Sequence, residues 1–92
     1  MPVTLLIPTT LRAEAADQRA LAVPASGTLG AVLDELAGSW PRLERRVRDE
    51  SGTLRRYVNI YIDGTDCRDL GGITAPVPDG AEVEIIPSVA GG

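Results

Sequence analysis

The segment YVNIYID, from Tyr57 to Asp63, alternates between apolar residues on one face and other residues on the opposite face. The apolar face carries Val58, Ile60 and Ile62, and the opposite face carries Tyr57, Asn59 and Tyr61. A period of two residues is typical of a β-strand with one buried face. Asp63-Gly64 follows directly and favours a tight hairpin turn. The TDCRD segment after it is therefore predicted to form a short partner strand.

Two segments near the start of the chain and one near its end alternate in the same way. VTLLIP (Val3 to Pro8) and RALAV (Arg19 to Val23) are separated by a polar connection and are predicted to form a β-hairpin. AEVEIIP (Ala81 to Pro87) is predicted to be the last strand, with Val83 and Ile85 facing the core. Proline cannot donate to a sheet ladder, so Pro87 marks the point at which pairing stops.

The segment LGAVLDELAG has the period of an amphipathic helix. Its apolar residues fall at i, i+3, i+4 and i+7: Leu29, Val32, Leu33 and Leu36. Thr28 is a predicted N-cap, and the helix is expected to stop near Gly38, as at a C-cap glycine. Pro41 is predicted to open a short helical turn whose Leu43 and Val47 pack inward, before a loop from Asp49 to Thr53.

Composition excludes several classes of function. The chain has 92 residues, a formal net charge of −4, no histidine and no lysine, and a single cysteine. A net negative charge argues against general affinity for nucleic acid, and without histidine the usual acid or base at neutral pH is missing. An enzyme that works alone is therefore disfavoured. One cysteine cannot form an internal disulfide and no apolar run is long enough to span a bilayer, so we expect a cytoplasmic protein.

Most of the arginines lie in the middle of the chain: Arg42, Arg45, Arg46, Arg48, Arg55 and Arg56. They are interleaved with Glu44, Asp49 and Glu50, and few aromatic residues lie nearby. This pattern favours a solvated or partner-facing surface over an RNA-binding one.

The predicted elements follow the order β-β-α-turn-β-β-β, with one main helix crossing one mixed sheet. This is the order of an α+β, ubiquitin-like β-grasp domain, here expected to span residues 1–87. In that fold the first and last strands pair in parallel at the centre of the sheet. Residues 88–92 would then form a flexible tail that can extend about 17 Å beyond the sheet.

The tail ends in Val89, Ala90, Gly91 and Gly92. A carboxylate at Gly92 is a poor acyl donor until it is activated, for example as an acyl-adenylate made with ATP. Glycine lacks a Cβ atom, so a Gly-Gly end can pass through a narrow channel with φ values closed to other residues. We therefore expect a partner enzyme to act on Gly92.

Four segments together resemble the ubiquitin-like sulfur carrier family, and within it the CysO-type carriers of bacterial cysteine biosynthesis. They are IPTTLR, TLGAVLDEL, RYVNIYIDGTDCR and the terminal SVAGG. The family also includes the small subunit of molybdopterin synthase and the thiamin-pathway carrier, which stay as alternatives. The arginine-rich RLERRVRDE stretch departs from the pattern and leaves the identity of the partner open.

The resemblance implies a mechanism in which the chain is a co-substrate and not an enzyme. An E1-like adenylyltransferase would use ATP and Mg²⁺ to adenylate Gly92, and a sulfur donor would convert it to a thiocarboxylate. In CysO-type systems that sulfur adds to an aminoacrylate held on pyridoxal phosphate by a cysteine synthase, and a metalloprotease then restores the Gly-Gly end. A thiosugar or another thio-metabolite is an alternative destination. We expect no metal or cofactor on the chain itself.

A small apolar patch is predicted on the outer face of the sheet. Leu6, Tyr61 and Ile86 point away from the core on strands expected to be neighbours, and such a patch often marks an interface. A β-grasp module that only binds partners through this sheet, with dispensable glycines, is the alternative from a different functional class. Cys67 is interpreted as a small apolar residue in a short strand, and no chemistry is assigned to it.

Overall fold

The computed structural model describes residues 1–87. Its strands are β1 (Val3–Leu6), β2 (Ala20–Val23), β3 (Gly27–Thr28), β4 (Val58–Ile62), β5 (Thr65–Asp66), β6 (Pro76–Val77) and β7 (Glu82–Pro87). The α-helices are α1 (Leu29–Ser39) and α2 (Pro41–Val47), and 3-10 turns cover Thr9–Ala15, Cys67–Leu70 and Gly72–Thr74.

Five strands form one mixed sheet in the order β2-β1-β7-β4-β5. β1 and β7 are parallel, with Leu5 opposite Val83, and the other neighbours are antiparallel. The first and last strands therefore meet in the sheet interior, as predicted for a β-grasp domain. β3 and β6 form a separate two-stranded ribbon beside the N-terminus of α1.

The core lies between one face of the sheet and the two helices. Alternate residues of each long strand are buried there, against the apolar face of α1. These core residues include Val3, Leu5, Val58, Ile60, Ile62, Val83 and Ile85 from the sheet and Leu29, Val32, Leu33 and Leu36 from α1. The predicted facing of each strand is thus confirmed.

The N-cap of α1 is also confirmed, because the backbone N–H of Ala31 donates to the Thr28 hydroxyl at 3.2 Å. The prediction that Gly38 is the C-cap is wrong. Gly38 lies inside the last turn, and α1 continues to Ser39. Trp40 leaves the helix with φ −133° and ψ 65° because the proline that follows it disfavours helical backbone at that position.

Pro41 opens α2 as predicted, and Leu43 and Val47 are fully buried. The loop after it is closed by Asp49, whose carboxylate accepts bonds from the Ser51 hydroxyl and from the backbone N–H groups of Ser51 and Thr53. The Ser51 hydroxyl bond is the largest of the effects that lower the pKa of Asp49. The predicted loop from Asp49 to Thr53 is confirmed.

Three connections differ from their prediction. The link between β1 and β2 is not merely polar, since its 3-10 turn buries Leu11 and Ala15 against the core. The partner strand after the hairpin is limited to Thr65–Asp66, because the Asp66 carboxylate accepts the Arg68 N–H and starts a 3-10 turn that contains Cys67. The segment between the Cys67–Leu70 turn and β7 contains β6, and no strand was predicted there.

The hairpin turn itself is as predicted. Asp63 and Gly64 have φ values of 48° and 86°, in the left-handed region that a two-residue turn of this kind requires at both positions.

The sequence predicted a solvated or partner-facing surface for the arginines from Arg42 to Arg56, and for Arg48 this prediction is wrong. Its side chain is about one-tenth exposed, and it donates to Glu44 at 2.6 Å and to Asp34 at 2.8 Å. Burial alone would lower the pKa of Arg48, but the bonds to Asp34 and Glu44 outweigh it and raise that pKa. The guanidinium therefore ties α2 to α1.

Replacing Arg48→Ala should lower the free energy of unfolding by about 2–3 kcal/mol, because it leaves the largely buried Glu44 carboxylate without its cation. Urea denaturation measures the loss. Arg42→Ala, at an exposed position of α2, is the control and should change stability by less than about 0.5 kcal/mol. Equal effects of the two substitutions would show that the Arg48 bridge contributes nothing specific.

Candidate functional site

The end of β7 is the point from which the chain continues to its terminal residues. The predicted site residues Val89, Ala90, Gly91 and Gly92 lie outside the described residues. Among residues 1–87, the site consists of the outer face of the sheet and the surroundings of Pro87.

Strand register brings the three predicted patch residues onto the same outer face. Leu6 on β1 and Tyr61 on β4 both lie opposite Glu84 on β7, one on each side of it. Ile86 lies two residues further along β7, opposite Asn59. Ile86 is 37% exposed, while Leu6 and Tyr61 are half-buried. The patch therefore surrounds a carboxylate and is not purely apolar.

A groove of ≈ 480 Å³ opens beside the end of β7. Leu6 and Ile86 contribute to its walls, and Tyr61 does not. The segment between β1 and β2 contributes Ile7, Pro8, Thr9, Arg12 and Arg19, and β7 contributes Glu84, Ile85 and Pro87. The groove thus combines apolar surface with two guanidinium groups and one carboxylate.

Arg12 is fixed at the edge of this groove. Its Nε–H donates to the carbonyl of Ile7 at 3.0 Å, and the N–H of Ile7 donates to the carbonyl of Arg19, the residue before β2, at 2.8 Å. The 3-10 turn between β1 and β2 places Arg12 there. Both arginines therefore sit on the β1–β2 side of the end of β7.

Glu84, Arg12 and Arg19 are residues of this surface that sequence reasoning missed. Glu84 had a signal, because alternation in AEVEIIP places it on the same face as Ile86. No sequence signal pointed to Arg12, since its position depends on a 3-10 turn in a segment that was predicted only as a polar connection. Arg19 was assigned to a strand, but its proximity to β7 depends on tertiary register.

Cys67 has the properties of a core residue. It is 1% exposed, and burial, followed by the nearby Asp66 charge, raises the pKa of its thiol. A neutral buried thiol is a poor nucleophile, so the geometry supports assigning it no chemistry. Its predicted placement in a strand is wrong, as noted above. Within residues 1–87 no group of three or more acidic or cysteine side chains is arranged to hold a metal ion.

Neither helix in the described part of the chain has the length and apolar character that a membrane span requires.

The ThiS family profile matches residues 5–92. The chain belongs to the ThiS family of ubiquitin-like sulfur carriers. A curated relative, the sulfur carrier protein CysO of Mycobacterium tuberculosis, is 44% identical over 95 residues, with all of both chains covered. The resemblance read from the sequence segments is therefore confirmed.

Solved structures agree with this membership. The crystal structure of M. tuberculosis CysO superimposes with a TM-score of 0.86 and 38% identity, covering 95% of this chain and 99% of that one. A chain of the Amycolatopsis orientalis BexX/CysO complex gives a TM-score of 0.88 and 32% identity, covering 98% of this chain and 99% of that one. The β-grasp fold is thus established for this ThiS-family chain.

Two neighbouring positions of β7 separate the core from the outer face. Ile85→Asp should unfold the domain, or destabilise it by more than about 3 kcal/mol, because it buries an unpaired charge. Ile86→Asp should preserve the fold and weaken binding to a partner protein that docks on the outer face. Circular dichroism and calorimetric titration measure the two effects. Comparable destabilisation by both substitutions would contradict the register of β7.

Proposed function

We propose that this ThiS-family chain is a sulfur carrier whose Gly92 carboxylate is adenylated and then converted to a thiocarboxylate that donates sulfur, first of all in cysteine biosynthesis. The observation that carries the proposal is the 44% identity to the sulfur carrier protein CysO over the whole of both chains. The family match extends through Gly92, the residue on which the chemistry is assigned.

The fold suits a protein co-substrate. β7 ends at Pro87, and the five residues that follow can reach at most about 17 Å. A partner enzyme can therefore act on Gly92 while its body contacts the domain near Pro87. ATP and Mg²⁺ would belong to the E1-like enzyme that activates the carboxylate, and pyridoxal phosphate to the synthase that receives the sulfur.

Docking is assigned to the outer face of the sheet, through Leu6, Tyr61 and Ile86 around Glu84. The solved BexX/CysO complex of A. orientalis supports the existence of a protein partner, and the exposed side chains of this face are the reason for placing the contact here. For our chain we propose two kinds of partner on this face at different times, the activating enzyme and the sulfur-incorporating synthase. A metalloprotease that restores the Gly-Gly end would be a third.

Activation can be tested by intact-protein mass spectrometry with the E1-like enzyme, ATP and a sulfur source. The protein should gain the mass difference of sulfur for oxygen, located on Gly92. Deleting Gly92 should abolish the gain, and Gly91→Ala should slow it strongly because the added methyl group obstructs a narrow channel. Both variants should keep the thermal stability of the parent, since they alter no core residue.

The same experiment separates the proposal from its alternative. A module that only binds partners through its sheet would tolerate loss of Gly92, and its binding affinity would not change. A Gly92 deletion that leaves the cellular role intact would therefore favour the non-covalent module over the carrier.

The destination of the sulfur needs a second experiment, because a carrier presents only its terminal sulfur and the acceptor is chosen by the partner. Purified thiocarboxylate protein is mixed with a pyridoxal-phosphate cysteine synthase and its activated serine substrate. We expect a cysteinyl adduct at Gly92. If no adduct forms while a thiosugar, thiamin or molybdopterin synthase from the same genome consumes the thiocarboxylate, the cysteine assignment is wrong and the carrier assignment stands.

A further inference from the structure

The two ends of β7 lie in regions of opposite charge. Acidic residues gather where β7 begins: Asp63 accepts the backbone N–H of Glu82 at 2.9 Å, and Asp79 lies 3.7 Å from the N-terminal amine, which offsets part of its charge. Arginines gather where β7 ends. The net charge of −4 is therefore unevenly distributed, with acidic residues near the start of β7 and arginines near its end.

The arginines lie on both sides of the end of β7. Arg12 and Arg19 line the groove on the β1–β2 side, together with Ile86 and Pro87. On the other side, Val58 lies opposite Pro87, which places Arg56 two residues from that pairing.

Arg68 lies on the β4 side of the end of β7 because of a side-chain contact with that strand. Its guanidinium donates to the side chain of Asn59, the residue opposite Ile86. Arg56, Arg68 and Val58 also line one shared cavity. We call Arg12, Arg19, Arg56 and Arg68 the arginine collar.

Most of the positive charge of the collar is not neutralised within the domain. Arg68 pairs with Asp66 at 3.4 Å. Arg12, Arg19 and Arg56 form no ion pair with any acid of residues 1–87, and although Glu84 lines the groove it pairs with neither arginine there. The collar is thus a basic surface available to a partner.

We infer that the arginine collar docks against carboxylates that surround the channel entrance of a partner protein, where the C-terminal segment enters. This inference rests on the proposed carrier function and specifies the chemistry of its partner. Guanidinium groups match carboxylates with planar, two-point hydrogen bonds. The acidic opposite end is repelled by the same carboxylates, so long-range electrostatics orients the domain with the end of β7 toward the partner.

Protein carboxylates fit this surface better than nucleic acid. The collar surrounds one point of the fold and does not form a stripe that a phosphate backbone could follow. The remainder of the chain is strongly acidic and would repel an extended polyanion.

The test uses two double variants with the same change of charge. Arg19→Gln with Arg56→Gln removes two exposed collar arginines that make no side-chain hydrogen bond with residues 1–87. Arg42→Gln with Arg45→Gln, on the exposed face of α2, is the matched control. Arg12 and Arg68 are left intact because their side chains bond within the domain.

The first measurement requires no enzyme. The arginine Nε–Hε signals of the full chain are followed by NMR during titration with a hexaglutamate peptide at low salt. The collar signals should shift, and those of Arg42 and Arg45 should shift at most slightly. Uniform shifts, or none, would overturn the collar. An octa-adenylate RNA that shifts the collar signals further than the peptide would overturn the choice of a protein partner.

The second measurement uses the activating enzyme and the rate of thiocarboxylate formation. At low salt the collar variant should raise KM about fivefold with kcat unchanged, whereas the control should stay within about twofold. The difference should disappear at high salt, because exposed ion pairs are screened. Equal effects of the two variants would refute the collar. If the parent chain gains no sulfur at all, the carrier proposal fails, and the peptide titration still decides the collar.

Discussion

The parallel pairing of β1 with β7 is the interaction on which the rest of the structure depends. It joins the two sequence-distant strands of the domain in the interior of the sheet, with Leu5 opposite Val83 and both side chains fully buried. On its other side β7 is paired with β4 from Val83 to Pro87. β7 is therefore held from both sides where it begins, whereas Ile85 to Pro87 are paired with β4 alone, and the position of Pro87 is set by its pairing with Val58.

That placement matters for a carrier, because the domain itself supplies no catalytic group to the reaction we propose. What it can supply is a defined origin for the C-terminal segment and a surface that partners recognise. The outer face of β7 carries Glu84 and Ile86, while its inner face carries Val83 and Ile85. One strand thus supplies the core with one set of side chains and, in the carrier function we propose, a partner with the other.

Elements with a long, regular apolar period could be predicted from the sequence, and those that depend on local hydrogen bonds could not. The alternation in Tyr57–Asp63 and the helical period from Leu29 to Leu36 were sufficient because burial of those faces determines the fold. The end of α1 was missed because Pro41, not Gly38, stops the helix. The 3-10 turn at Thr9–Ala15 was missed because two buried residues, Leu11 and Ala15, do not make a period.

The candidate site shows the same division. The outward facing of Leu6, Tyr61 and Ile86 followed from strand parity, but the position of Glu84 between Leu6 and Tyr61 required the register of three strands. The charge of the surface was harder to predict than its apolar residues. Interleaved signs in the sequence suggested one solvated or partner-facing surface, yet Glu44 pairs with the buried Arg48 and Asp49 closes its own loop. A carboxylate that bonds a buried arginine or closes a loop is not available to neutralise an arginine on the surface. The charge of a surface region therefore depends on the hydrogen bonds of the folded chain and not on the order of residues in the sequence.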